Sequence, residues 1–501
     1  MKTSNLFTVL LITLVPLISQ AGPNEDLVAA CKVGDLAKAT AAISAGADVN
    51  HLEGGNPPLT SAFFWPEVTK LLLDKGANPN LGDYTPLMQA SLYYSTDVLK
   101  MLLDAGADPN KATLMDPSVT FKTLIANEKA KGKDANQSLI KTWEKVMTTI
   151  KPSKIYALQQ TVMTTGCATC VEMLLAKGAK LDLGITDGTL LHTFASANGT
   201  GKSKELWKQA FPAMQPALSQ FGFTVFPDWY SADMPENRYG SPEQMLKLLL
   251  GKGLNINEKN KGLDGMKPRT PLEMALNTGL GNLKEVMLAL INNGADVKGV
   301  SELYGPMIFP ATQIGYPEVV KAMVEKGADI NAEGSFFGQT EGALLKGYTP
   351  LTIAAYKDNL ELVKYLIGAG AKVDIGVEGK FYNSKTSCLT KVSDKTAIYY
   401  AIENGNVDMV KFMVDADVKW WKRVKVDQIK ERSVSQGING LGQGVTIYST
   451  SCFEEGEYTP SLYVNAVTKN KKTTASQNGG LSQEQADGLT ELKAAMKAKG
   501  I

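Results

Sequence analysis

A glycine–alanine dipeptide closes a leucine-rich run again and again along this chain. It stands at Gly46, Gly76, Gly106, Gly178, Gly294, Gly327 and Gly370, with Gly253-Leu254 as a variant. A similar apolar run precedes each copy, as in "VTKLLLDKGANPN", "VLKMLLDAGADPN" and "VVKAMVEKGADIN". Upstream of many copies lies a second signal: "YTPLMQA" at 84, "GTLLHTFA" at 188, "RTPLEMA" at 269 and "YTPLTIA" at 348. Less regular forms are "NPPLTSA", "KTAIYYA" and "YTPSLYV". Repetition of this kind constrains the fold more than any other feature. Each copy is a small unit with an apolar side it cannot bury alone, so neighbours must stack to cover it.

The copy at 347–374, "GYTPLTIAAYKDNLELVKYLIGAGAKVD", shows the local chemistry. Thr349 can accept a hydrogen bond as N-cap, and Pro350 fits the first helical turn. Ala354 and Ala355 keep that first helix thin, which lets the next copy approach. Leu362, Val363, Leu366 and Ile367 recur on one face of a second helix. Gly370 suits a left-handed residue that ends it. Covering such a face is worth about 1.5–3 kcal/mol for each large apolar side chain fully buried.

These motifs resemble the ankyrin repeat from about Asn24 to Val467. The resemblance implies an all-α solenoid of about nine to ten helix-turn-helix units, joined by β-hairpin-like excursions. Long insertions interrupt the family's period of roughly 33 residues. Repeats occupy 24–110, a helical insertion 111–154, a further repeat 155–198, an aromatic-rich insertion 199–240, and repeats again 241–467 with extended loops at 375–395 and 419–458. Residues 468–501 form a linker and a C-terminal helix, either a cap or a loosely attached element.

The first insertion places Leu139, Ile140, Trp143, Val146 and Met147 at helical spacing, which reads as extra helices packed on the solenoid. The second holds Trp207, Phe211, Phe221, Phe223, Phe226, Trp229, Tyr230 and Tyr239 among prolines and few charges. Aromatics at that density make either a local mini-core or interface anchors. Trp207, Phe211, Phe223, Phe226, Trp229 and Tyr230 are accordingly candidate partner contacts. By the resemblance, partners meet the excursion tips and the exposed positions ending the first helix, here Leu92, Tyr93, Tyr356, Lys357, Glu403 and Asn404. Tyr93 and Tyr356 join the candidates, since a rigid ring gives contact area at little entropic cost.

The chain opens with Lys2, an apolar run from Leu6 to Ile18, and Ser19-Gln20-Ala21. That order is a secretory signal peptide over residues 1–21 with cleavage expected after Ala21, and a periplasmic or secreted chain follows from it. No membrane insertion is expected once it is removed. Lys plus Arg is 52 against 51 Asp plus Glu, and loss of Lys2 leaves 51 against 51. A neutral chain lacks the electrostatic footprint of a nucleic-acid binder.

Five cysteines would meet an oxidising compartment. Cys388 and Cys452 lie in the two extended loops, and consecutive excursions run side by side, so a bridge between them is expected. Cys167 and Cys170 form "CATC" inside ordinary repeat sequence, without the βαβ setting of a redox site; a local disulfide and buried thiols both fit. Cys31 takes a small buried position and is expected unpaired. Only two histidines occur. His192 falls in "TLLHTFA", where the ankyrin pattern uses histidine to hold its turn, and His51 lies in an excursion. A catalytic triad or histidine-rich metal centre needs more, so neither a catalytic residue, nor a metal, nor a cofactor is expected. The chain reads as a non-enzymatic, monomeric scaffold that binds another protein. Its concrete form is an immunity-type inhibitor occluding a secreted toxin or effector enzyme. An envelope structural or stress scaffold, and a small-ligand binder or enzyme built on 199–240, are the alternatives.

Overall fold

The structure, a computed structural model, describes residues 22–93, 95–115, 122, 125–126, 128–132, 136–149, 153–165, 167–183, 185, 188–196, 219, 223–226, 242–262, 267–277, 283–301, 305–337, 344–383, 388–416, 424–428, 436–438, 444–446, 456–460, 462–464 and 483–498. Residues 1–21, expected to be a signal peptide, lie outside these residues, as do Cys452 and the Cys388 side chain. The chain divides into two compact units. Unit 1 is Met1–Ile185 with Gly199–Ser241, and unit 2 is Thr186–Asn198 with Pro242–Ile501.

Unit 1 is built of helix pairs. They are α1 (Pro23–Val33) with α2 (Leu36–Ser44), α3 (Pro58–Ser61) with α4 (Pro66–Asp74), and α5 (Pro86–Leu92) with α6 (Thr96–Asp104). After the insertion helix α7 (Gln137–Thr149) comes α8 (Ala157–Gln160), which runs on as a π-turn over Thr161–Thr165 and pairs with α9 (Ala168–Ala176). Leu59, Val68, Leu72, Leu99, Leu102, Val171 and Leu174 are almost wholly buried between successive pairs. The glycine after each second helix is left-handed, with φ between 86° and 99° at Gly46, Gly76, Gly106 and Gly178.

Asparagine side chains link one repeat to the next. Asn50 donates from Nδ2 to the Gly76 carbonyl (3.1 Å) and accepts at Oδ1 from the Asn78 N–H (2.8 Å). Asn80 does the same toward Gly106 (2.9 Å) and Asp108 (2.7 Å). Asn110 then reaches Gly178 (3.0 Å) and Lys180 (2.8 Å), across the whole first insertion. The insertion is pinched off at its neck, where β1 (Thr113–Met115) pairs antiparallel with β2 (Ser153–Ile155). Ile140 of α7 is buried and Trp143 half-buried, while Leu139 is 36% exposed.

Unit 2 continues the pattern. Its pairs are α10 (Leu190–Ser196) with α11 (Pro242–Gly251), α12 (Pro271–Asn277) with α13 (Lys284–Asn292), α14 (Ile308–Ile314) with α15 (Pro317–Glu325), α16 (Pro350–Tyr356) with α17 (Leu360–Gly368), and α18 (Ala397–Asn404) with α19 (Val407–Asp415). The first pair is split by the whole 199–240 insertion. Thr349 caps α16 as its sequence requires: its hydroxyl accepts the Thr352 N–H (3.2 Å), and the Thr352 hydroxyl accepts the Thr349 N–H (2.8 Å). The terminal helix α20 (Gln483–Ala498) is a cap rather than a loose tail. It lies on α19 closely enough that a Cβ on Gly488 would sit 2.9 Å from Val407, and its Leu489 and Met496 are fully buried.

The excursions of unit 2 do more than connect. A short ribbon joins β3 (Val300–Ser301) to β4 (Gly305–Pro306). Beyond it, β5 (Gly334–Phe337), β6 (Leu344–Tyr348), β7 (Val377–Asn383), β8 (Cys388–Lys395), β9 (Val424–Gln428) and β12 (Gly456–Tyr458) form one antiparallel sheet in the order β12-β9-β8-β7-β6-β5. Between β9 and β12 the chain makes a separate hairpin, β10 (Gln436–Ile438) with β11 (Gly444–Thr446). Three consecutive excursions are thus joined edge to edge, with Leu345 opposite Gly379 and Val392 opposite Val426.

Two outcomes test this account. Asn110→Ala removes both arms of one inter-repeat link and should cost unit 1 about 1–2 kcal/mol, read as a lower urea midpoint. Cys31 is unpaired and buried, and burial pushes its thiol from 9.0 up to about 12. The folded state keeps this proton where the unfolded chain releases it, so stability falls as pH rises from about 9 toward 12. Iodoacetamide at pH 9 should leave Cys31 unmodified until denaturant is added.

Candidate partner-binding surface

Unit 1 presents an aromatic cluster at the ends of its first helices. Phe63 and Phe64, fully buried in the turn after α3, stack against Tyr93 at the end of α5, with the Phe63 and Tyr93 ring centres 4.6 Å apart. The insertion segment 223–226 docks on them. Phe223 lies 5.2 Å from Phe63 and Phe226 lies edge-on to Phe64 at 5.9 Å. Phe223 is buried there, whereas Val225 beside it stays 48% exposed. The 199–240 insertion therefore uses at least two of its aromatics to fix itself to its own repeats.

Beside Phe223 opens a cavity of about 380 Å³. One wall is the excursion "EGGN", a two-residue turn in which Glu53 and Asn56 exchange both backbone hydrogen bonds (3.0 and 3.1 Å). Gly54 and Gly55 have φ of 58° and 86°, the pair of positive values such a tight hairpin turn demands. The other walls come from Lys32 of α1, Tyr84, Gln89 and Tyr93 around α5, and Phe223. Burial pushes the Tyr84 hydroxyl up to about 12 and also raises that of Tyr93. Asn56 Oδ1 is buried and accepts no hydrogen bond.

Unit 2 holds a second cluster, at the junction of its sheet with α18. Lys395, the last residue of β8, is fully buried. Its Nζ donates to Glu403 Oε2 (2.6 Å) and sits 4.2 Å from the centre of the Tyr400 ring. The Tyr463 hydroxyl donates to the other carboxylate oxygen of Glu403, and Tyr400 donates to the Tyr348 hydroxyl (3.2 Å). Burial lowers the lysine's pKa and the Glu403 charge opposes that shift; burial likewise holds the Tyr400 hydroxyl well above its ordinary value.

A family model described as ankyrin repeats (3 copies) matches residues 27–113, within unit 1, and 336–423, within unit 2. This chain is an ankyrin-repeat protein. It is 31% identical over 149 residues to Alpha-latrocrustotoxin-Lt1a of Latrodectus tredecimguttatus, covering 29% of this chain and 9% of that protein. It is 28% identical over 167 residues to the transient receptor potential cation channel subfamily V member 1 of Canis lupus familiaris, 32% of this chain and 18% of that one. The chain thus spans less than a fifth of the length of these curated relatives. The solved human ASB11 ankyrin repeat domain superposes with a TM-score of 0.34 at 17% identity, over 60% of this chain and 98% of that domain. Ankyrin repeats indicate a protein–protein interaction scaffold, and the family is generally non-enzymatic.

Set on the ankyrin framework, the sequence candidates fall in different places. Tyr93, Phe223 and Phe226 are brought together in unit 1. Tyr356 belongs to unit 2, half-buried and edge-on to Tyr400 at 5.8 Å. Trp207, Phe211, Trp229 and Tyr230 lie outside the described residues. Of the first-helix ends in unit 2, Glu403 holds the buried lysine and Asn404 donates to the Ala355 carbonyl (2.9 Å), so both serve the interior. Cys167 and Cys170 are joined by a disulfide, and both are buried at the start of α9. His192 accepts the Thr189 N–H (3.0 Å) at Nδ1 and donates from Nε2 to the Arg269 carbonyl (3.0 Å), holding its turn against the next ankyrin repeat. Among the described residues no group of three or more His, Cys, Asp or Glu could hold a metal ion.

Lys395 escaped sequence reasoning because a lysine in a loop reads as solvated. The available signal was "KTAIYYA", where two tyrosines and a lysine replace the usual threonine–proline–leucine surroundings. Glu403→Gln would strand the lysine's charge in the interior and should destabilise unit 2 by about 3–5 kcal/mol. Lys395→Met in the same background should recover part of that loss, measured by urea denaturation of the double variant.

Proposed function

We propose that this ankyrin-repeat protein is an exported, non-enzymatic scaffold that captures another protein on unit 1, with the 199–240 insertion as its recognition element. The observation that carries the reading is the docked segment 223–226. Phe223 and Phe226 clamp it to Phe63 and Phe64, and this holds Val225 outward at 48% exposure. A contact element held in place before binding loses less entropy when a partner arrives. Residues 1–21 support delivery to the periplasm or the medium. An enzyme delivered to the same compartment is the partner this combination favours, occluded by the scaffold in the manner of an immunity protein.

The test is affinity capture from periplasmic extract on the mature chain, beside the same chain carrying Val225→Asp. One stoichiometric partner is expected, with at least about tenfold less retained by the variant and unfolding unchanged. A hydrolase as that partner supports the immunity reading, and a resident envelope protein replaces it with a structural one. Equal capture by both chains removes the insertion from the interface.

A further inference from the structure

The cavity of unit 1 has a lining suited to something smaller than a protein. Its volume, about 380 Å³, falls within the range of roughly 300–1,000 Å³ typical of small-molecule pockets. Among the described residues the lining carries one ammonium, Lys32, and one carboxylate, Glu53, and neither makes an ion pair with a described residue. Near the carboxylate's own excursion lies the buried Asn56 Oδ1, an acceptor without a donor. That oxygen has almost no accessible surface, so it lies beneath the cavity wall and not on it. Tyr84, Tyr93 and Phe223 supply flat apolar surface.

We propose that this cavity binds a free α-amino acid with an aromatic side chain. The ligand's ammonium has three N–H donors, which meet the Glu53 carboxylate. Its carboxylate is matched by Lys32, and its ring lies among Phe223, Tyr93 and Tyr84. A zwitterion balances both lining charges. A cation or an anion alone would leave one of them unmatched, and an uncharged ligand would leave both without a partner. Because Phe223 belongs to the 199–240 insertion, that segment forms part of the small-ligand site as well as the protein-binding face. The two functions remain separable: Val225 bears on the partner and does not line the cavity.

Isothermal titration of L-tryptophan, L-tyrosine and L-phenylalanine into the full mature chain at pH 7 tests the assignment. At least one should bind saturably at one site per chain. N-acetyl-L-tryptophanamide, with the same ring and no charges, should bind at least about tenfold more weakly than L-tryptophan, the loss expected when a charged hydrogen bond is removed. Glu53→Gln and Lys32→Met should each weaken binding by a similar factor, with Val225→Asp unchanged. If Glu53→Gln lowers the unfolding temperature, the Lys32→Met variant and the uncharged analogue decide. Equal affinity for the uncharged analogue overturns the zwitterion assignment in favour of a slot for a partner's side chain. Absence of binding by all three amino acids to the folded chain overturns it outright, without touching the capture experiment.

Discussion

The stacking of this protein rests on a carboxamide. An asparagine at the end of the glycine–alanine turn has a donor NH2 at one corner and an acceptor oxygen at the other, and it uses both ends on the backbone of the following repeat. Asn50, Asn80 and Asn110 do this in unit 1, and Asn257 does it in unit 2 toward Gly294 (3.2 Å) and Asp296 (2.8 Å). Aspartate cannot replace it fully, having no N–H to give. Asp182 stands at this position in the last repeat of unit 1, and Lys298 and Asp374 in unit 2. In unit 2 further asparagines bind at the opposite end of the helices. Asn359 donates to the Gly315 carbonyl (2.9 Å) and Asn406 to the Asp358 carboxylate (2.8 Å). The helices bury apolar area, and these amides tie the backbones of successive repeats together.

Much of this is legible in the sequence because it is local. A threonine N-cap, a proline in the first turn, paired alanines and a closing glycine each act within a few residues, and the repeat copies them. Thr349, Pro350, Ala354, Ala355 and Gly370 occupy the conformations their chemistry demands. What could not be read is long-range. The sheet unites residues 334–458 through strand pairings that depend on which excursions are long enough to meet. Lys395 became an interior residue only because Glu403 and Tyr463, 8 and 60 residues from their bonding partners, converge on one point. The aromatic insertion is intermediate. Its composition announces burial or contact, and the structure shows segment 223–226 with its phenylalanines packed inward and Val225 exposed.

Positions that an ankyrin array usually offers to a partner are partly committed here. Glu403 and Asn404 neutralise charge and satisfy carbonyls inside unit 2, and Tyr356 rests on Tyr400. Unit 1 keeps its first-helix ends near the surface but lines them with the chain's own insertion. The repeat is a frame shared across the family, and what individualises this chain is what has been inserted into it.

The insertion at 199–240 interrupts a repeat between its two helices, whereas the one at 111–154 interrupts an excursion. During synthesis the difference matters. Helix α10 emerges from the ribosome early but has no partner until α11 follows, dozens of residues later, and in the interval the chain makes the segment that completes unit 1. The first repeat of unit 2 can therefore close only after the last segment of unit 1 has been made.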